Sequence, residues 1–225
     1  MAEKIMRRIL TAGALAVIFI ICAGGAADAG EPIWKDISEE QLVKLFEGGR
    51  VAFVDRRLFP GKEMAVGGVI IDEPAEKVWN ALVDFEKYPD LIDQITRVRV
   101  YESGEDYAIV HFYMFVIKLG PVGIKSNYIQ KWKYEKPGRI VITPIEKKGS
   151  KFKEVTGDVT PILWDIVPVE EGKRTILIHS TISDLREAGA AGKYMVDVQP
   201  TIQIGFDLAT SLTQTQAIKK IFEKE

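Results

Sequence analysis

The 225-residue chain has one cysteine and two histidines. Cys22 sits in the first thirty residues, so the remainder can form no disulfide framework, no zinc thiolate site and no cysteine nucleophile. His111 and His179 stand alone, without a His-x-x-x-His or similar pair. Metal sites need several converging ligands, so each histidine reads as a hydrogen-bonded core residue and no metal or cofactor is assigned. A glycine-rich phosphate loop, a Ser-His-Asp arrangement and a paired-carboxylate motif are also missing, which leaves no catalytic residue to name. Charge of one sign is not in excess: 30 basic side chains stand against 32 acidic, a net charge of −2. Nucleic-acid binders carry a strongly basic face, so no nucleic-acid partner is expected.

No apolar run reaches the roughly twenty residues that span a bilayer as a helix. The longest, from Ile9 to Cys22, follows Lys4, Arg7 and Arg8 and precedes the small residues Ala23 to Gly30. This three-part layout is that of a secretory signal peptide over residues 1–29, with cleavage after Ala29 and a secreted or periplasmic mature protein. Cys22 is a poor lipidation site, because Ile21 stands where a small residue is wanted. An uncleaved anchor is the rival reading.

A hydrophobic content of 47 % over this length can bury one core. Ser38 and Gln41 have capping-box spacing ahead of Gly48-Gly49, which predicts a short helix. Extended runs follow at Arg50 to Leu58 and Met64 to Ile71. Pro74 then opens a helix as its first residue, with Ala75, Val78, Trp79 and Leu82 on one apolar face, and Pro89 restarts a second helix.

From Thr96 the period becomes that of strands, with runs to Ser183 separated by hairpin-like turns such as Gly104–Asp106, Gly120-Pro121 and Lys136–Gly138. Such short connections force antiparallel neighbours. Leu185 to Val196, rich in Gly and Ala, reads as a mobile connector. The last helix, from about Pro200 to Lys224, has one narrow polar stripe (Gln203, Asp207, Thr210, Gln214) and is otherwise apolar, so it is expected to be largely buried. Segregated helices and an antiparallel sheet define an α+β fold.

The stretch Gly67-Gly-Val-Ile-Ile-Asp-Glu-Pro-Ala-Glu-Lys-Val-Trp79, continued by Leu82-Val-Asp-Phe85 and Tyr88-Pro89, resembles the N-terminal signature of the START-like (SRPBCC, helix-grip) superfamily. Within it the pattern is most similar to polyketide cyclase/dehydrase and coenzyme-Q-binding START proteins. The resemblance implies a curved antiparallel sheet wrapped around the long C-terminal helix, a hydrophobic cavity between them, and two short helices closing one end. It places a ligand-binding domain at 64–225 after an N-terminal extension at 30–63. That extension is expected to cover part of the outer sheet, because both faces of Tyr107 to Ile117 are apolar and need shielding.

In Ile124 to Glu135 the aromatic side, Tyr128 and Trp132 with Gln130 and Tyr134, should face the cavity. An even hairpin loop at Gly120-Pro121 would set Tyr113 opposite Tyr128 and His111 opposite Gln130; a one-residue slip would reverse this. The candidate ligand-binding residues are therefore Tyr113, Phe115, Tyr128, Trp132, Trp164 and Phe206, with His111 for a polar ligand tip. The plain alternative is that these aromatics only fill a core. Asp165 is expected to point to solvent. The run Glu146 to Lys153, four lysines around Phe152, suits transient contact with anionic headgroups, or is simply a charged hairpin tip.

The expected function is binding of a hydrophobic small molecule or lipid, a quinone or polycyclic isoprenoid included, for transport or sequestration. A cyclase or dehydratase using the same cavity is the rival, and an interaction module without room for a ligand is a third.

Overall fold

The computed structural model describes residues 32–223 except 60, 120–121, 156–159 and 189. The expected signal segment, its cleavage point and the Gly120-Pro121 turn lie outside these. Among the described residues, nine strands form a single antiparallel sheet. They are β1 (Val51–Asp55), β2 (Met64–Ile71), β3 (Ile95–Ser103), β4 (Tyr107–Leu119), β5 (Val122–Glu135), β6 (Arg139–Lys148), β7 (Lys151–Glu154), β8 (Ile162–Val169) and β9 (Arg174–Thr181). The order is β1-β2-β9-β8-β6-β5-β4-β3, with β7 hydrogen-bonded to β6. The helices are α1 (Glu39–Glu47), α2 (Ala75–Val83), α3 (Tyr88–Leu91), α4 (Ala190–Val198) and α5 (Thr201–Phe222).

The local signals act as chemistry requires. Ser38 and Gln41 form the capping box of α1, with Gln41 N donating to Ser38 Oγ and Ser38 N to Gln41 Oε1. Pro74 stands one residue earlier than expected, as the N-cap of α2, where its carbonyl accepts from Lys77 and Val78. Three features go beyond or against the expected elements. The connector after Leu185 is a 3-10 turn followed by α4, whose Ala190, Ala191, Lys193 and Met195 are good helix formers and outweigh Gly192. The hairpin strand β7 arises because Gly149 takes a φ of +66°, which turns the chain back on β6. The third is α5, which is only partly buried, and its sheet-facing row Asp207, Ser211 and Thr215 is polar while Ile202 is exposed.

β2 is buried at all eight positions because both faces are covered. Gly67 faces α5 so closely that a Cβ there would lie 2.8 Å from the backbone of Ser211 and Leu212. Gly68 faces the other way, where a Cβ would meet the Phe46 ring of α1 at 2.5 Å. Two cores result. The outer one joins Trp34, Leu42 and Phe46 of the N-terminal segment to Val66, Leu163 and Ile178 of the sheet. It is held by Asp55, wholly buried, which accepts from the backbone N–H of Ile33 and Arg57. Arg174 adds ion pairs to Glu47 and Asp72 at 2.7 Å.

This cover lies over β1, β2, β8 and β9. The outer face of β4, for which shielding was expected, is met instead by Tyr101 of β3, beside His111, and the β6–β7 hairpin brings Phe152 against Tyr101.

Candidate functional site

The inner core lies between the sheet and its helices. β5 contributes Trp132, β4 Phe112, β8 Trp164 and β9 Leu177, and the α2–α3 pair inserts Trp79, Leu82, Phe85 and Tyr88. The rings interlock: Phe85 meets Trp132 edge-on at 4.9 Å between centroids, and Tyr88 lies 5.7 Å from Phe112. Polar tips are satisfied inside this wedge. The Tyr88 hydroxyl donates to the Leu82 carbonyl at 2.7 Å, and burial pushes its pKa well above the usual phenol range. Trp132 Nε1 donates to Gln130 Oε1 at 3.2 Å.

Away from the wedge the inner face is not sealed. Val98 and Met114 are half-buried, and Tyr128 and Val100 keep 39 % and 41 % exposure. On α5, Phe206 is half-buried eleven residues before Ala217 of the inner core, three turns that return it to the same helix side. Sheet and helix thus leave apolar surface uncovered at this end.

Under α5, His179 Nδ1 lies 3.1 Å from Ser211 Oγ, and the Trp164 ring centre is 4.4 Å from the imidazole. Ser211 Oγ also lies 3.3 Å from the Ala65 carbonyl, so the hydroxyl links helix, sheet backbone and imidazole. Burial pushes the His179 pKa down to about 3, keeping the ring neutral. The pair is a strut between sheet and helix. Nearer the start of α5, Asp207 accepts from Ser183 Oγ and from Gln203 Nε2, and Gln203 Oε1 accepts from Leu185 N. These bonds fasten the segment leading to α4; burial raises the Asp207 pKa against the pull of its donors.

The β4–β5 register differs from the expected one. Tyr113 pairs with Asn127, His111 with Ile129 and Phe112 with Tyr128. One residue of slip turns the strand over. Tyr128 and Trp132 keep the inner face, whereas Tyr113, Phe115 and His111 move to the outer one. His111 bridges Tyr101 OH (3.2 Å) and Asn127 Oδ1 (3.1 Å) there and stacks on Tyr113. Asp165 is also corrected: it faces outward but is buried, receiving Arg139 Nε at 2.6 Å beneath the N-terminal segment. Desolvation raises its pKa, with Arg139 opposing. It borders an open outer cleft of about 560 Å³ between Trp34, Ile37 and Val167, apart from the inner face.

A family model described as polyketide cyclase / dehydrase and lipid transport matches residues 71–183, half of the chain. The chain belongs to this family. Among solved structures it is similar to the Zhui aromatase/cyclase of Streptomyces sp. R1128 (16 % identity, 72 % of this chain and 93 % of that one, TM-score 0.50). It is also similar to a Thermus thermophilus protein (11 %, 72 % and 97 %, 0.51) and to human STARD10 (14 %, 78 % and 71 %, 0.50). At these identities the likeness is one of fold, which is START-like. No curated protein sequence matches the chain significantly.

For this polyketide cyclase and lipid transport family member, the structure brings Trp132, Trp164, Tyr128 and Phe206 to the inner side. Sequence reasoning gave no site role to Phe112, Met114 or Phe85. Phe85 was visible in the signature, but Phe112 and Met114 could be placed only by strand pairing. Among the described residues no group of three His, Cys, Asp or Glu could hold a metal ion, and no helix is long and apolar enough to cross a membrane.

Proposed function

We propose that this chain is an exported carrier that holds an apolar small molecule between the inner face of the sheet and the first half of α5. A lipid, a quinone or a polycyclic isoprenoid has the right chemistry. The observation that carries this reading is the uncovered apolar surface at one end of the inner face, Val98, Val100, Met114 and Tyr128 with Phe206 on the helix, beside a wedge that is fully packed. A bound apolar molecule would remove that surface from water at roughly 25 cal/mol per Å². Gln214 and Thr210, half-buried on the same side of α5, supply polar groups to orient a headgroup.

Membership in a family described by both cyclases and lipid transport supports the ligand class and keeps the cyclase reading as the rival. The full burial of His179 against Ser211 and Trp164 supports a structural role for it and favours carriage over chemistry. Export, which in a diderm bacterium would place the mature protein in the periplasm, rests on the basic, apolar and small-residue order of positions 1–29.

Native mass spectrometry of protein purified from its own host, followed by lipid extraction, is the test. A stoichiometric co-purifying lipid is expected. Protein that emerges empty and takes up no fluorescent long-chain fatty acid would overturn the carrier.

A further inference from the structure

The outer face of β3 and β4, with the β6–β7 hairpin against it, carries four cation–ring contacts around Tyr101 and Tyr113. The Arg97 guanidinium sits 5.5 Å from the centre of Tyr113, and that of Arg99 sits 4.7 Å from Tyr101. The Lys147 ammonium comes from the β6–β7 hairpin to 4.5 Å from Tyr101 and 5.7 Å from Phe152. Arg97 and Arg99 are two positions apart on one strand, so they project from the same face about 7 Å apart. All three cations are exposed, while the rings beneath them are half-buried.

Surface arginines and lysines are ordinarily balanced by neighbouring carboxylates. Among the described residues none lies within ion-pair distance of Arg97, Arg99 or Lys147. Glu102, near the end of β3, receives the Tyr107 hydroxyl. Rings rather than carboxylates position these cations, and a ring holds a cation without neutralising it. The chain as a whole is acidic, so this local positive face is a concentrated exception.

We infer that this outer face is a docking surface for an anionic phospholipid membrane. Three fixed cations, Arg97, Arg99 and Lys147, complement a headgroup layer. A half-buried tyrosine bed also suits the amphipathic membrane boundary. Nucleic acid fits less well, because the faces of Tyr101 and Tyr113 are already taken by cations and cannot stack on bases. For its purpose, delivery of cargo to a bilayer, the inference rests on the carrier reading; its chemistry does not.

The experiment is co-sedimentation of the full chain with vesicles of phosphatidylcholine alone or with added phosphatidylglycerol, at low and raised salt. Binding should require phosphatidylglycerol and weaken with salt. Arg97→Gln with Arg99→Gln should lower the partition coefficient at least about tenfold, given the roughly fivefold contribution of one basic side chain near such a surface. Lys147→Gln, on a different element, should lower it as well, whereas Lys44→Gln on α1 should not. Equal binding to both vesicle types, or variants that melt and bind like the parent, would overturn the inference. So would binding to a single-stranded oligonucleotide without binding to vesicles. Uptake of a fluorescent fatty acid, measured in parallel without vesicles, separates the two readings. Vesicle binding without uptake sinks the carrier and leaves the dock; uptake without vesicle binding does the reverse.

Discussion

Gly67 and Gly68 are adjacent, yet they serve opposite faces of β2, and each does so by having no side chain. A methyl group at 67 meets helix backbone, which cannot rotate away, whereas one at 68 meets the end of the Phe46 ring. Gly67→Ala is therefore expected to cost ~1–3 kcal/mol in urea denaturation and Gly68→Ala less. Trimming Phe46→Leu should recover part of the second loss and none of the first.

His179 gives a pH-dependent term at the same scale. Its folded pKa, about 3, lies below the ordinary 6.5, so under pH 6.5 the unfolded chain takes a proton that the native ring refuses. The stability tied to this residue is complete above about pH 6.5 and falls progressively toward pH 3. Asp165 and Asp207, both raised by burial, act the other way, each contributing stability at low pH that is lost as pH rises. The test is therefore a difference: wild type minus His179→Gln, followed by chemical denaturation from pH 7.5 to 5 in roughly half-unit steps, should decline on acidification. A flat difference would show that the ring is not buried neutral.

At the level of elements, the pairing of β4 with β5 decides which residues can meet a ligand. Tyr128 and Asn127 are neighbours and both exposed, but they lie on opposite faces. Tyr128→Glu sets a charge against the inner apolar surface and should lower fluorescent fatty-acid binding roughly tenfold or more, while Asn127→Glu should leave it nearly unchanged. Equal effects would refute the register. Within α5, the buried row of Asp207, Ser211 and Thr215 bonds to Ser183, His179 and the helix's own carbonyls, so polarity faces the sheet. Apolar positions are thereby left for the half-open side, an arrangement suited to a helix whose remaining partner is a ligand.

For the molecule as a whole, the N-terminal segment is part of the fold and not an appendage. It seals the outer core through Trp34, Leu42 and Phe46, and Asp55 locks it by accepting backbone N–H groups from both ends of the segment. Asp55→Ala leaves those donors buried without an acceptor, at roughly 1–3 kcal/mol each before relaxation. Lowered melting temperature, together with native-state proteolysis ahead of Val51, is the expected outcome. Unchanged protease resistance would show that the apolar contacts hold the segment without it.

The sequence alone determined what is local. The capping box of α1, the break between α2 and α3, most of the strand runs and the START-like signature depend on neighbours within a few positions, and these lie where their residues placed them, whereas the run expected from Val155 is a strand only from Ile162. Trp132 and Tyr128 were assignable for the same reason, since one strand's alternation fixes that they share a face. Tertiary structure decided whatever depends on pairing between segments distant in the chain. A one-residue change in the β4–β5 register sent Tyr113, Phe115 and His111 outward and brought Phe112 and Met114 inward. Likewise Asp165 is buried only because residues more than a hundred positions earlier fold over it, and α5 turns its polar row inward only because His179, Ser183 and the glycine gap at Gly67 await it. Alternation sorts side chains into two faces; only the assembled sheet decides which face holds the cargo.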